Sequence, residues 1–222
     1  MGVFKLDSYV LILRGSDCLQ FLDGLSTNKV DGTCTTVFTT QNAKVIDMVE
    51  VIVKDSFIAL IGHAPYKDSL IHHITSRILN QDVVIGDASE NNNVYLATED
   101  IDVLDNVTKV ETERGHILVA PNSVNIEETM TLEEFDEYRV QNLIPHQGKE
   151  ITPDNHPLAC GLGHLVHENK GCYIGQEVLV RMRSRGRQGK VLVRLENPVS
   201  DATTVGRTHS LTIIREKSVQ IT

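Results

Sequence analysis

Between residues 36 and 61 the chain carries three apolar segments in quick succession: Thr36-Val37-Phe38-Thr39-Thr40, residues 45–53, and Phe57-Ile58-Ala59-Leu60-Ile61. Only short polar breaks separate them, such as Gln41-Asn42 and Lys54-Asp55-Ser56. A parallel connection needs about a dozen residues or more, so breaks this short force the segments into an antiparallel meander. Around that meander strands and helices mix without order. Tyr9-Val10-Leu11-Ile12-Leu13 reads as a short buried strand, and Gly15-Ser16-Asp17 supplies a helix N-cap before Cys18-Leu19-Gln20-Phe21-Leu22. Residues 64–79 have a helical pattern, with Pro65 in the first turn and Leu70, Ile71, Ile74, Ile78 and Leu79 on one stripe. Strand character returns at Val83-Val84-Ile85, at Val94-Tyr95-Leu96-Ala97 and in two or three short pieces within 101–120. Thr131-Leu132-Glu133-Glu134 is a capping-box pattern opening a helix whose apolar side is Phe135, Tyr138, Val140 and Leu143, ended by Pro145. Residues 146–171 are loop-rich, and Val191-Leu192-Val193-Arg194-Leu195 and Ser210-Leu211-Thr212-Ile213-Ile214 are late strands. The absence of regular βαβ alternation predicts an α+β architecture.

A chain of 222 residues, 41% hydrophobic and 23% charged, can bury one large core or two small ones. Its net charge of −9 argues against a general binder of nucleic acid or acidic membranes, which needs clustered cationic surface. Residues 1–7 lack the charged-then-apolar pattern of a secretory signal, and no apolar run approaches the ~18 residues needed to span a bilayer. A soluble, cytoplasmic protein is therefore expected. Cys18, Cys34, Cys160 and Cys172 are too few and too scattered for a disulfide scaffold, so reduced thiols are expected.

The most chemically suggestive stretch is Lys170-Gly171-Cys172-Tyr173-Ile174-Gly175-Gln176-Glu177, which sets a cysteine between glycines, beside a lysine and ahead of a helix-like run. A thiol reacts as thiolate, and a nearby lysine, a helix N-terminus and glycines that admit a ligand to the backbone all favour that form. Residue chemistry alone makes Cys172 a reactive-thiol candidate; the competing role is a small buried apolar residue. Tyr173 and Gln176 could contact a ligand or simply pack and staple the loop. Arg181, Arg183, Arg185 and Arg187 put four guanidinium groups into seven residues of an acidic chain, suited to carboxylate or phosphate, or else a solvated basic face. No aromatic residues interleave with them to stack bases, which weakens an RNA reading. Cys160, His164, His167 and Cys172 fall within thirteen residues, but their spacing matches no structural zinc pattern, and no metal site is assigned.

The octapeptide resembles the K-G-C-Y-x-G-Q-E element of YgfZ-type proteins, folate-binding relatives of the glycine-cleavage T-protein (aminomethyltransferase) that serve iron–sulfur cluster assembly or repair. Phe21-Leu22-Asp23-Gly24-Leu25-Ser26-Thr27-Asn28-Lys29-Val30 is similar to the F-L-Q-G-x-x-T-N-D-V stretch of that superfamily, with Lys29 in place of the acid. The resemblance runs from about residue 5 to about residue 195. It implies two intertwined α+β subdomains around a central folate channel over 1–189, then a shortened C-terminal β segment over 190–222, too short for a full barrel unless a partner chain completes it. Further implications are a tetrahydrofolate cofactor or derivative, iron–sulfur client or assembly proteins as partners, and cluster maintenance by Cys172. Thr27, Asn28, Asp47, Lys170, Tyr173, Gln176 and Arg181 are carried over as cofactor-binding candidates, with Gly186 beside Arg181. Asp47 lies where relatives carry a channel-lining acid that can meet a pterin's amino groups, though it could equally sit on the solvent side of a strand. Tyr138-Arg139-Val140-Gln141-Asn142-Leu143-Ile144-Pro145 resembles R-x-E-x-G-x-P with Gln141 for glutamate and Asn142 for glycine. A glutamine supplies no negative charge, which argues against a true aminomethyltransferase. That folate-dependent transferase remains the alternative, and a ligand-binding module with a structural Cys172 is a third.

Overall fold

The computed structural model describes residues 2–186 and 188–216, and the chain divides into two compact units, each assembled from separate stretches. One unit comprises Met1–Leu19, Gly32–Thr35 and Val49–Phe135; the other comprises Gln20–Asp31, Thr36–Met48 and Asp136–Thr222. Arg187 and residues 217–222, the end of the expected C-terminal segment, lie outside the described residues. Among the described residues no helix is long and apolar enough to cross a membrane.

The expected meander is present as β3 (Cys34–Thr39), β4 (Val45–Lys54) and β5 (Phe57–His63). With β2 (Ser8–Arg14) and β6 (Val84–Asp87) they make a five-stranded sheet ordered β3-β4-β5-β2-β6. In β2, Tyr9, Val10, Leu11 and Leu13 are all buried, the near-continuous apolar run of a central strand. It pairs antiparallel on both sides, Leu11 opposite Leu60 of β5 and Asp87 of β6.

In the first unit a second sheet is ordered β1-β7-β9-β8, from β1 (Val3–Leu6), β7 (Asn92–Ala97), β8 (Thr108–Thr112) and β9 (Gly115–Pro121). Residues 101–120 thus hold two strands. Ile101 and Val103, outside them, pack as partly buried side chains on the Val3, Tyr95, Leu118 core. Helix α1 (Cys18–Leu25) follows the Gly15-Ser16-Asp17 turn as expected. Helix α2 (Lys67–Thr75) is shorter than the apolar stripe suggested: Leu70 and Ile74 are buried, but Leu79 is 82% exposed. Its end is chemical. Thr75 Oγ1 and Ser76 Oγ donate back to the carbonyls of Ile71 and His73, and Arg77 Nη1 takes the His73 carbonyl at 2.6 Å, so hydroxyls and a cation satisfy the last turn.

Helix α3 (Leu132–Asn142) opens with the capping box in full: the Thr131 amide donates to Glu134 Oε2 (2.9 Å) and the Glu134 amide to Thr131 Oγ1 (3.2 Å). Phe135 stacks on Phe4 with ring centroids 4.2 Å apart.

In the second unit, α4 (Gln176–Ser184) precedes an antiparallel sheet ordered β10-β12-β11, formed by β10 (Lys190–Glu196), β11 (Thr204–Val205) and β12 (His209–Arg215). Val140, Leu192 and Leu211 make its small core. Beneath lies a polar knot in which fully buried Arg139 donates to Glu150 Oε2 (2.8 Å), Asp136 Oδ1 (2.7 Å), Thr204 Oγ1 (2.7 Å) and the Ile144 carbonyl. Glu150, equally buried, also accepts from Thr203 Oγ1, Thr204 Oγ1 and the His146 amide. A buried guanidinium and carboxylate are tolerable only when they are paired and hydrogen-bonded, as these are.

Candidate functional site

The two segments that resemble one family, some 140 positions apart in sequence, meet in the second unit at Lys170. The lysine side chain is 1% exposed, and Nζ donates to the carbonyls of Asp23 (2.6 Å), Ser26 (2.9 Å) and Asn28 (2.6 Å). The Asp23 carboxylate stands 3.0 Å away. Its ammonium is thus committed to the loop after α1, and is no longer a free cation for a ligand or for the thiol two residues on. Thr27 is also built into this junction: wholly buried, it donates through Oγ1 to the Leu165 carbonyl at 2.7 Å, and its own carbonyl accepts from the His167 amide. The Asn28 amide donates to Thr36 Oγ1.

From Lys170 the chain turns through an anchored loop. Tyr173 is buried among Ala43, Leu158, Val166 and Leu179, with its ring centroid 5.3 Å from Lys170 Nζ. Burial raises the Tyr173 phenol above its usual value, and its hydroxyl has no hydrogen-bond partner among the described residues. Thr39 Oγ1 holds the Ile174 carbonyl at 2.7 Å, and Gln176 Nε2 reaches back to the Gly171 carbonyl at 3.4 Å, a loop staple. Gly175 is the N-cap of α4 at φ +85°, where a Cβ would stand 2.6 Å from Thr39 Oγ1 and 2.8 Å from the Thr40 carbonyl. Between these fixed points Gly171 and Cys172 are exposed. Of the other cysteines, Cys18 and Cys160 are buried and Cys34 is half-buried.

Among the described residues, Arg181 and Arg183 take different partners. Residues two apart on a helix point about 200° apart, which turns Arg183 away from Arg181. Arg181 is exposed and pairs with Glu177 one turn back. Arg183 folds over the preceding loop, holding the carbonyls of Val166 (2.8 Å) and Gly163. Arg185 is exposed, Gly186 ends the helix in the left-handed region at φ +55°, and Arg187 lies outside the described residues.

Asp47, on β4, is fully buried, which removes the solvent-facing alternative; its Oδ1 accepts from the Met48 amide at 2.8 Å. Gln147, missed in the sequence, donates to the Met48 carbonyl (2.8 Å) beside it. The one available signal was its place in the loop-rich stretch after Pro145. At the end of α3, Leu143 has φ +54°, the conformation that favours glycine. Counting from Arg139, it is Leu143 and not Asn142 that takes the glycine position of R-x-E-x-G-x-P. Gln141, at the glutamate position, is exposed and donates to Glu137 Oε1. Cys160, His164, His167 and Cys172 do not converge, and among the described residues no group of three or more His, Cys, Asp or Glu could hold a metal ion. Cys160 donates to the Glu150 carbonyl, and burial pushes its thiol up to about 12.

No protein-family model matches the chain. A curated relative, an aminomethyltransferase of Alkaliphilus oremlandii, is 25% identical over 172 residues, covering 68% of this chain. The chain spans 44% of that relative's length. Among solved structures, the glycine cleavage system aminomethyltransferase T of Bartonella henselae matches with a TM-score of 0.76 at 12% identity, over 96% of this chain and 78% of that one. The chain has the fold of that aminomethyltransferase and is similar in sequence to another.

Proposed function

We propose that this chain is a tetrahydrofolate-binding accessory protein for iron–sulfur cluster assembly or repair, of the YgfZ type, with Cys172 as its working thiol. The observation that carries the reading is the presentation of Cys172, exposed on a turn whose neighbours on both sides are anchored. A thiol meant only for packing would be inside, as Cys160 is. Support for folate comes from the likeness to aminomethyltransferases and from Asp47. Asp47 is a wholly buried carboxylate, and carboxylate oxygens can accept from the amino groups of a pterin. In this reading Asp47 holds the pterin, Thr27 and Asn28 shape the wall beside it, and Arg181 meets the folate's glutamate tail.

A second reading, a folate-dependent aminomethyltransferase, is favoured by the name of the relatives. Gln141 weighs against it, since the position offers no carboxylate and its side chain is occupied by Glu137. The test is a titration of tetrahydrofolate into wild type and Cys172→Ala, alongside restoration of a cluster-dependent enzyme in cells lacking this protein. Binding is expected in both proteins and restoration only in wild type. Failure of both proteins to bind, or restoration by Cys172→Ala, would sink the proposal; methylene transfer from an aminomethyl donor would favour the second reading.

A further inference from the structure

Lys170 is an alkylammonium ion held in a cage of main-chain oxygens. An ammonium has three N–H donors, and the three carbonyls of Asp23, Ser26 and Asn28 accept them, with the Asp23 carboxylate supplying the countercharge. The cage stands at the end of α1, where a helix leaves carbonyls without intrahelical donors and carries partial negative charge. A cation brought from 147 positions away thus closes that helix. Separating the two segments would strand a buried charge on one side and several unmet acceptors on the other.

We propose that Lys170 is the positioning residue for Cys172: its ammonium locks residues 23–28 to residues 170–173, and the exposed thiol keeps one location because that lock is closed. The functional meaning of the lock rests on the reading of Cys172 as the working thiol. The lock itself is measured without folate or a client. Because one charge grips Ser26 and Asn28 on either side of Thr27, a displacement of that loop displaces the thiol as well.

The test uses Lys170→Ala, which removes a propylammonium fragment and leaves the cage. Hydrogen exchange followed by mass spectrometry reports on peptides covering 23–30 and 170–176, with β7 and β9 as internal references. Labelling of Cys172 by a bulky aromatic disulfide is timed in parallel. The two peptides are expected to lose protection together, by about tenfold or more, while the references hold and Cys172 labels at least about threefold faster. Added n-propylammonium should reverse all three changes; n-propanol, which fills the space without charge, should not. Lys170→Arg, which keeps the cation, is expected to stay within about threefold of wild type in exchange. Unchanged protection in Lys170→Ala, loosening of only one peptide, or equal rescue by propanol would overturn the proposal. Should Lys170→Ala fail to fold, refolding in propylammonium but not in propanol supports it, and refolding in neither overturns it. Absence of folate binding, or activity of Cys172→Ala, would defeat the functional reading while leaving these exchange results intact.

Discussion

Acidification should weaken this protein through one helix residue, His73. It sits on the buried side of α2 at 5% exposure, and burial, aided by the Arg77 and His72 charges, lowers its pKa to about 4. An unfolded chain returns the imidazole to about 6.5. Above that value both states are neutral and the site is silent. As pH falls through 6.5 the unfolded chain takes up a proton that the folded chain refuses, so stability is lost progressively until about pH 4. At pH 5 the imbalance amounts to about 2 kcal/mol relative to pH 7.5. Burial also lowers His63 and His156, which drain stability in the same direction, so the comparison must be by difference. The measurement is urea denaturation of wild type and His73→Gln at both pH values. Far-UV circular dichroism is the readout, since the chain has no tryptophan. Glutamine cannot take up the proton, so the variant should lose about 2 kcal/mol less between pH 7.5 and 5. Equal losses in the two proteins would refute the argument that His73 is kept neutral by its surroundings.

Gly175→Ala forces a Cβ against Thr39 Oγ1 and the Thr40 carbonyl at a positive φ, and should cost about 2–4 kcal/mol. Gly171→Ala, with nothing within 4 Å of the new carbon, should stay within about 0.5 kcal/mol; thermal melts that rank the pair the other way would contradict the loop geometry. Leu143→Gly relieves a left-handed leucine that is 45% exposed and should gain about 0.5–1 kcal/mol after the entropy of the new glycine is counted. A lower denaturation midpoint would show that the Leu143 side chain contributes more than its backbone costs.

Local order was legible because it is decided by residues close in sequence. The polar breaks at 41–42 and 54–56 prescribed an antiparallel meander, and Thr131 with Glu134 announced the start of α3 down to its two hydrogen bonds. Where local signals compete, the sequence misleads. The apolar stripe to Leu79 outruns α2 because hydroxyls and Arg77 close the helix first. Arg181 and Arg183 read as neighbours in one patch because a string of letters does not display the rotation of a helix. Counting from Arg139 puts the glycine position of R-x-E-x-G-x-P at Leu143 rather than Asn142, and the left-handed backbone there agrees.

The amino-acid order by itself therefore determined most of the strands and helices, though not β1 or β11, and the capping of α3, since propensity, turn length and side-chain periodicity act over a few residues. Only the folded chain decided that Asp47 is inside, that Cys172 is outside, and that Lys170 spends its charge on carbonyls from the other end of the sequence. Burial and ion pairing depend on which distant segments come within a few ångströms of one another. That depends on packing across the whole second unit, which no short window of sequence contains.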